Sequence, residues 1–201
     1  MAVADMALPL RSNLAGLLKE STSTTHERLD EAVMDYEPFS NRARFCLFLK
    51  VQHAFHREVD PLYNDAAICA LMPSIARSSR LERIEQDLAD LGARTPTYAS
   101  APLFAANAGI DLPAALGWLY VAEGSNLGAA FLLRQAGTLG LSDIFGARHL
   151  AAAPEGRGLR WKTFKNELNA IELAERHEAE LVSGAAAAFD RVRAVLDDAF
   201  G

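Results

Sequence analysis

The centre of the sequence is the apolar segment PAALGWLYVAEGSNLGAAFLL, residues 113–133, which contains Gly124-Ser125-Asn126-Leu127-Gly128. Its length and composition predict a buried helix, although glycine in a helix interior costs about 1 kcal/mol relative to alanine. Gly124 and Gly128 are four residues apart and therefore share one helical face. The segment thus predicts a strip of bare backbone that a flat ligand or a second helix can approach closely.

The same stripe extends to Gly117, and Ser125, Ala129 and Ala130 widen its small-residue surface. Two interpretations remain open from the residues alone. The stripe either packs tightly against another helix or covers a flat ligand with backbone in place of side chains. The neighbouring glycine and serine also predict a kink at this point of the helix.

Helical periodicity dominates the rest of the chain, and no strand pattern or internal repeat interrupts it. Ser40 is the predicted N-cap of the second helix. Helices are predicted over about residues 11–33, 40–63, 66–76, 78–91, 113–137 and 161–200, the last with a break near Ser183-Gly184. The sequence therefore predicts a single all-α domain over residues 10–201, preceded by a flexible leader over residues 1–9.

The composition is typical of a globular protein, with 201 residues of which 50% are hydrophobic and 23% are charged. A formal net charge of −6 disfavours nucleic-acid binding. Cys46 and Cys69 do not form a disulfide framework, which suits a reducing, cytoplasmic location. No signal peptide is recognised, and the polar residues Glu123, Ser125 and Asn126 disfavour a membrane span at residues 113–133.

His26 lies beside the inward stripe of the first predicted helix, with Leu29 and Val33. A core or boundary histidine is one interpretation, and a neutral imidazole bound to a metal or haem iron is the other. Lys19 precedes His26 by two turns, about 10 Å along the axis, so both side chains point the same way. Asp30, one turn after His26, is interpreted either as the group that orients a metal-bound imidazole or as a surface carboxylate.

The remaining polar groups give weaker signals. His53 and His56 supply only two ligands, and no histidine follows a glutamate by three residues, which disfavours a carboxylate-bridged diiron bundle. His149 and His177 have no ligand-like neighbours in the sequence. A basic patch is formed by Arg157, Arg160, Lys162 and Lys165. It is interpreted either as a binding surface for an acidic redox partner or the anionic edge of a substrate, or as a solvated helix start. Hydrolase, nucleotide-binding and zinc-protease motifs are absent from the sequence.

Two segments, LKESTSTTHERL at residues 18–29 and GWLYVAEGSNLGAAFL at residues 117–132, together resemble bacterial haem oxygenases. The resemblance covers about residues 11–199. It implies a helical bundle that holds haem between a proximal helix and a kinked distal helix. The site residues that it implies are His26 as the iron ligand, Gly124, Ser125 and Gly128 on the distal side, Lys19 and Tyr120 at the propionates, and Gln52 and Arg80 at a distal water network, with Arg77 as a rival to Arg80.

The resemblance also implies the reaction. Haem b is both cofactor and substrate, dioxygen is the co-substrate, and the products are biliverdin, ferrous iron and carbon monoxide. Lys19 and Tyr120 resemble the propionate-binding pair of relatives that release the alpha isomer. The implied partners are a ferredoxin or flavin reductase as electron donor and a bilin acceptor such as a phytochrome, without a membrane. A haem carrier or sensor that does not degrade haem is the alternative, and a thiaminase-like hydrolase or a purely structural helical protein are further rivals.

Overall fold

The computed structural model describes residues 13–105 and 109–201, so the predicted leader at residues 1–9 lies outside the described residues. Seven α-helices occur in this part of the chain. They are α1 (Leu14–Asp35), α2 (Arg42–Val59), α3 (Ala66–Leu71), α4 (Leu81–Asp90), α5 (Leu112–Gly137), α6 (Arg157–Ala170) and α7 (Glu178–Phe200). Short 3₁₀ turns cover Asp60–Asn64, Pro73–Ile75, Arg148–Leu150 and Glu175–His177. Across these two ranges no β-strand forms, and the only sheet-like pairing is at isolated bridges from Ser142.

Side-chain caps explain where several helices begin. The side chain of Asn13 accepts from the Gly16 amide at the start of α1, and Asp111 accepts from Ala114 at the start of α5. Pro113 occupies the first turn of α5, as its fixed backbone angle favours. The prediction that Ser40 caps α2 is wrong, because its hydroxyl donates to the Glu37 carbonyl and Asn41 provides the cap.

The predicted break in the last helical region is also misplaced. The chain leaves the helix after Ala170 and starts α7 at Glu178, although no glycine or proline marks this point. Ile171 and Leu173 lie two residues apart and are both buried, so burial of this short extended segment decides the break. Gly184 lies inside α7, where an added Cβ would come within 2.4 Å of the Ala114 carbonyl oxygen. That glycine permits helix packing and does not end a helix.

Helix α7 is the element on which the others pack. Helices α1, α2 and α5 all contact α7 extensively, whereas α1 and α5 contact each other only slightly. The main core includes Leu18 of α1, Phe55 of α2, Leu119 of α5 and Leu196 of α7. A second core lies among α2, α4, the second half of α5 and the segment that follows it, and includes Phe45, Leu88 and Ala136. Helices α1 and α5 are therefore both supported by α7.

None of the helices within the two described ranges is long and apolar enough to cross a membrane.

Candidate functional site

The three glycines of the α5 stripe lie in different environments. A Cβ on Gly117 would come within 2.3 Å of the Leu181 carbonyl oxygen and 2.5 Å of the Ala185 nitrogen, both on α7. A Cβ on Gly124 would meet the Trp161 ring at an ordinary distance of 3.5 Å. No atom of the described residues lies within 4 Å of the Cβ position of Gly128. Helix packing therefore accounts for Gly117, while Gly128 leaves open space beside the helix.

The surface around Gly128 is apolar and exposed. Leu127 and Phe131 keep 46% and 42% of their surface exposed on a helix that is otherwise a core element. Ser125 is also exposed, and its hydroxyl donates to the Ala122 carbonyl at 2.8 Å. This type of back-bonding often bends helices, but α5 continues without interruption from Leu112 to Gly137, and the kink stays a prediction. Exposed apolar groups beside bare backbone suit an apolar ligand.

His26 lies on the exposed side of α1, which excludes a core position and leaves a boundary histidine and a metal ligand as the two interpretations. Its side chain is 55% exposed, and Nδ1 lies 3.2 Å from Oδ2 of Asp30. The imidazole meets the Phe189 ring of α7 edge to face, with 5.9 Å between the ring centroids. The carboxylate lies beside Nδ1, and Nε2 has no partner among the described residues. A carboxylate on one ring nitrogen and a free second nitrogen is the usual arrangement of a metal-binding histidine.

The two predicted propionate-binding residues are both accessible in part. Lys19 is exposed on α1, and its ammonium forms no hydrogen bond or ion pair with another described residue. Tyr120 is half-buried on α5, with its ring centroid 5.3 Å from that of Trp161. Burial raises the pKa of the Tyr120 hydroxyl, which therefore stays a neutral hydrogen-bond donor. Both groups are suited to bind carboxylates, one by charge and one by hydrogen bonding.

Of the two rival arginines, Arg80 lies nearer to the centre of α5. Burial lowers the pKa of Arg80 to about 10, and the nearby charge of Glu123 opposes that change. Its guanidinium forms no hydrogen bond with another residue in the two described ranges. Arg77 is exposed, with a left-handed backbone angle φ of 57°. Gln52 is half-buried on α2, and its amide is likewise free of protein partners in the described part.

A buried polar group at the centre of α5 was not predicted from the sequence. Glu123 is 3% exposed and immediately precedes Gly124. Its Oε1 accepts from the Tyr63 hydroxyl at 2.9 Å, and its Oε2 accepts from Arg160 Nε at 2.9 Å. Both carboxylate oxygens therefore accept a hydrogen bond, which a buried carboxylate requires. The two donors lie far from Glu123 in the sequence.

The interpretation of the basic patch as a free docking surface is wrong for its two arginines. Arg160 pairs with Glu123, and Arg157 donates to the carbonyls of Asn126 and Leu150. Only the lysines keep an outward position, with Lys162 exposed and Lys165 placed over the Trp161 ring. The arginines at the start of α6 thus hold α5 in place.

His149 has a partner that the sequence did not indicate. Its Nδ1 lies 2.8 Å from Oδ2 of Asp87, and the two residues are 1% and 0% exposed. His149 Nε2 and Nδ1 of the buried His56 have no hydrogen-bond partner among the described residues. Burial lowers the pKa of His149 and holds that of His56 well below its usual value. Both rings are therefore neutral at pH 7, and each keeps a nitrogen available for ordered water.

His53, the other member of the His53/His56 pair, faces a different set of partners. Its Nδ1 lies 3.0 Å from the Tyr98 hydroxyl, and its Nε2 lies 3.3 Å from Oε1 of Glu85. The His53 and Tyr98 rings stack at 5.6 Å. The two histidines therefore do not converge on one metal ion. Within the described ranges, no three histidine, cysteine or carboxylate side chains converge in that way either. An iron ion bound by His26 needs its other ligands from a non-protein group such as a porphyrin.

Comparison with known proteins gives concordant results. A family model for haem oxygenase matches residues 12–198. The haem oxygenase PigA of Pseudomonas aeruginosa is 41% identical over 191 residues, which cover 95% of this chain and 93% of that protein. The NO- and CO-bound haem oxygenase from Neisseria meningitidis superposes with a TM-score of 0.86 at 40% identity, covering 94% of this chain and 92% of that one.

The chain belongs to the haem oxygenase family and is an oxidoreductase of that class. The all-α fold predicted from the sequence is confirmed.

Proposed function

We propose that this enzyme binds haem b between α1 and α5 and cleaves it with dioxygen and external electrons to biliverdin, ferrous iron and carbon monoxide. The observation that carries the proposal is the exposed imidazole of His26, which has the Asp30 carboxylate 3.2 Å from Nδ1 and no partner for Nε2 among the described residues. Haem, when bound, supplies an iron that activates dioxygen and a macrocycle that is oxidised. His26 would hold that iron through Nε2.

The residues of α5 would form the opposite wall. Gly128 has open space at its Cβ position and Gly124 is limited only by Trp161, so a flat ligand can lie close to the backbone. Ser125 adds a small hydroxyl that is already bonded to Ala122. Together, Gly124, Ser125 and Gly128 would exclude bulk water from one face of the ligand. Exclusion of water protects reactive species from side reactions.

Arg80 and Gln52 would hold ordered water near that wall. A pKa of about 10 leaves Arg80 positively charged at neutral pH. Its guanidinium donors and the Gln52 amide lack partners among the described residues, so both are free to bind water. An arginine supplies only donors, whereas a glutamine supplies donors and an acceptor, so the pair can orient a water molecule. Such water would deliver protons during turnover.

The regiochemistry follows from the propionate-binding groups. Lys19 is exposed and unpaired among the described residues, and Tyr120 offers a neutral hydroxyl. This pair resembles that of alpha-cleaving relatives, so we propose that alpha-biliverdin is the main product. Chromatography of the bilin after a single turnover tests this assignment, and Lys19→Ala should raise the share of other isomers. A wild-type product that is mainly beta or delta would contradict it.

The sequence supports a proposal for the electron donor and the location. No flavin or iron–sulfur motif occurs in it, so the electrons would come from a separate ferredoxin or flavin reductase. Two free cysteines suit a cytoplasmic enzyme. A phytochrome is a suitable acceptor for the released bilin.

The decisive experiment follows the haem spectrum. Purified protein is mixed with haemin, the Soret band is recorded, and an electron donor is then added in air. We expect the Soret band to be lost and a bilin band to form. His26→Ala should abolish the axial-histidine spectrum, while the control His177→Ala should retain it. An unchanged haem spectrum in air with reductant would instead identify a carrier or sensor.

A further inference from the structure

We propose that Glu123 is a positioning residue for haem cleavage, because its buried carboxylate fixes the place and the charge of the Arg80 guanidinium. The inference rests on the proposed function, in which Arg80 orients water. Glu123 itself need not touch haem. It would act through Arg160, Tyr63 and the turn of residues 77–80, which we call the Arg80 turn.

Arg160 connects Glu123 to the Arg80 turn. Its Nε donates to Oε2 of Glu123 at 2.9 Å, and its Nη2 donates to the hydroxyl of Ser78 at 2.6 Å. Its Nη1 lies 3.4 Å from the carbonyl oxygen of Ser74, which precedes the same turn. A planar guanidinium holds these groups in a fixed relative geometry. A change at Glu123 would therefore be transmitted to a residue two positions before Arg80.

Tyr63 makes a second connection. Its hydroxyl donates to Oε1 of Glu123, and its backbone carbonyl accepts from the Arg77 amide at 2.9 Å. The hydroxyl of Ser79 also donates to Asp60. Three consecutive residues of the Arg80 turn, at positions 77, 78 and 79, are therefore tethered to the protein. Two of those tethers lead to Glu123.

The charges of the group explain why a carboxylate is needed. Arg80 and Arg160 both lie near Glu123, and the positive charge of Arg160 lowers the pKa of Arg80. Arg160 is satisfied by Glu123 and Ser78, whereas Arg80 has no hydrogen-bond partner among the described residues. Without the carboxylate, two half-buried guanidinium groups would repel each other with no compensating charge. Glu123 thus allows Arg80 to stay charged while its donors remain free.

The test uses full-length protein without haem, in which arginine side chains are followed by ¹⁵N-edited NMR. Glu123→Gln keeps the shape and removes the charge. The matched control is Glu155→Gln, because Glu155 also approaches Arg160, at 3.7 Å, but with a side chain that is 40% exposed. We expect the Arg80 Nε–H signal to shift and its hydrogen exchange to accelerate about tenfold in Glu123→Gln only. An Arg80 signal identical to wild type in Glu123→Gln would overturn the proposal.

Tyr63→Phe keeps the inference testable if Glu123→Gln does not fold. It leaves the carboxylate in place and removes one of its two donors, so the Arg80 signal should shift by a smaller amount. An unchanged Arg80 signal in this variant overturns the proposal as well.

The role in catalysis needs a second measurement on haem-loaded protein. We expect Glu123→Gln to bind haem within about threefold of wild type and to turn it over about 100-fold more slowly. A fall in haem affinity that equals the fall in turnover would overturn the positioning role. If the wild type itself fails to cleave haem while the Arg80 signal still depends on Glu123, the proposed function fails and the link between the two residues stands.

Discussion

The two halves of α5 use the same residue type for opposite purposes. At Gly117 the missing side chain lets the backbone of α5 approach that of α7. The missing side chain of Gly184 on α7 permits the same close approach to α5. At Gly128 the missing side chain faces empty space. A shared stripe on one helix therefore predicts that glycines point in the same direction, and the neighbouring helix decides what each one does.

The surroundings of the two halves differ in polarity as well. Gly117 is flanked by the buried apolar residues Leu116 and Trp118. Gly124 follows the buried, fully hydrogen-bonded Glu123 and leads to the exposed Leu127. Apolar packing makes the first half a support for the fold, while the second half combines charge, exposure and open space as a binding surface does.

The largest expected effect comes from Gly117→Ala. Its Cβ would overlap with backbone atoms of Leu181 and Ala185, which cannot move aside as a flexible side chain can. We expect the free energy of unfolding to fall by about 3 kcal/mol, the upper range for overpacking. Urea denaturation followed by circular dichroism measures it. A loss below about 1 kcal/mol would show that α5 and α7 separate easily, and the two halves would then differ less than proposed.

The second-largest effect is expected from acid, which should lower the free energy of unfolding through the buried histidines. Burial lowers the pKa of His56 and His149 in the fold, so below pH 6.5 the unfolded chain binds more protons than the folded one. Stability therefore falls as the pH falls, by up to about 2 kcal/mol between pH 6.5 and 5.5 for two groups that stay neutral in the fold. Denaturation midpoints across this range measure the slope.

Two variants separate this effect from general acid destabilisation. His149→Gln should reduce the slope, whereas His177→Gln should keep that of the wild type. Hydrogen exchange at pH 5.5 should first increase in α4 and around His149, with the α5–α7 contact at Gly117 still protected. Equal acceleration at both places would remove the contrast between the two halves.

The smallest effect on stability is expected for Gly128→Ala. The added methyl group meets nothing within 4 Å, and alanine is the better helix former. Unfolding free energy should rise by up to about 1 kcal/mol. Haem turnover should fall, because the methyl group occupies the space proposed for the ligand. A variant that is both more stable and fully active would place the ligand elsewhere on the protein.

Local signals in the sequence were sufficient for most of the fold. Pro113 and the apolar run after it fixed the start of α5, and periodicity located α1, α2 and α4. The break between α6 and α7 was missed because it depends on the burial of Ile171 and Leu173 against distant helices. No residue in that segment is itself unfavourable in a helix to the extent that glycine or proline would be.

The candidate site shows the same contrast between local features, which the sequence predicts, and contacts between distant residues, which it does not. His26, Lys19 and Asp30 lie on one helix, where fixed spacing makes their common direction predictable. Glu123 pairs with Arg160 over 37 positions, and Asp87 pairs with His149 over 62. Such pairs depend on how helices pack, so the sequence showed only a basic patch and an isolated histidine. Only the structure shows that these paired residues belong to one buried polar region.

Helix α7 carries none of the predicted site residues, yet both walls of the proposed cleft rest on it. Tyr36, which follows α1, also donates to Asp197 and stacks on Phe200 near the far end of α7. The distance between α1 and α5, and with it the width of the proposed cleft, is therefore set by α7. Redesign for a larger or smaller tetrapyrrole would therefore begin at the C-terminal helix, with the residues that meet the ligand left unchanged.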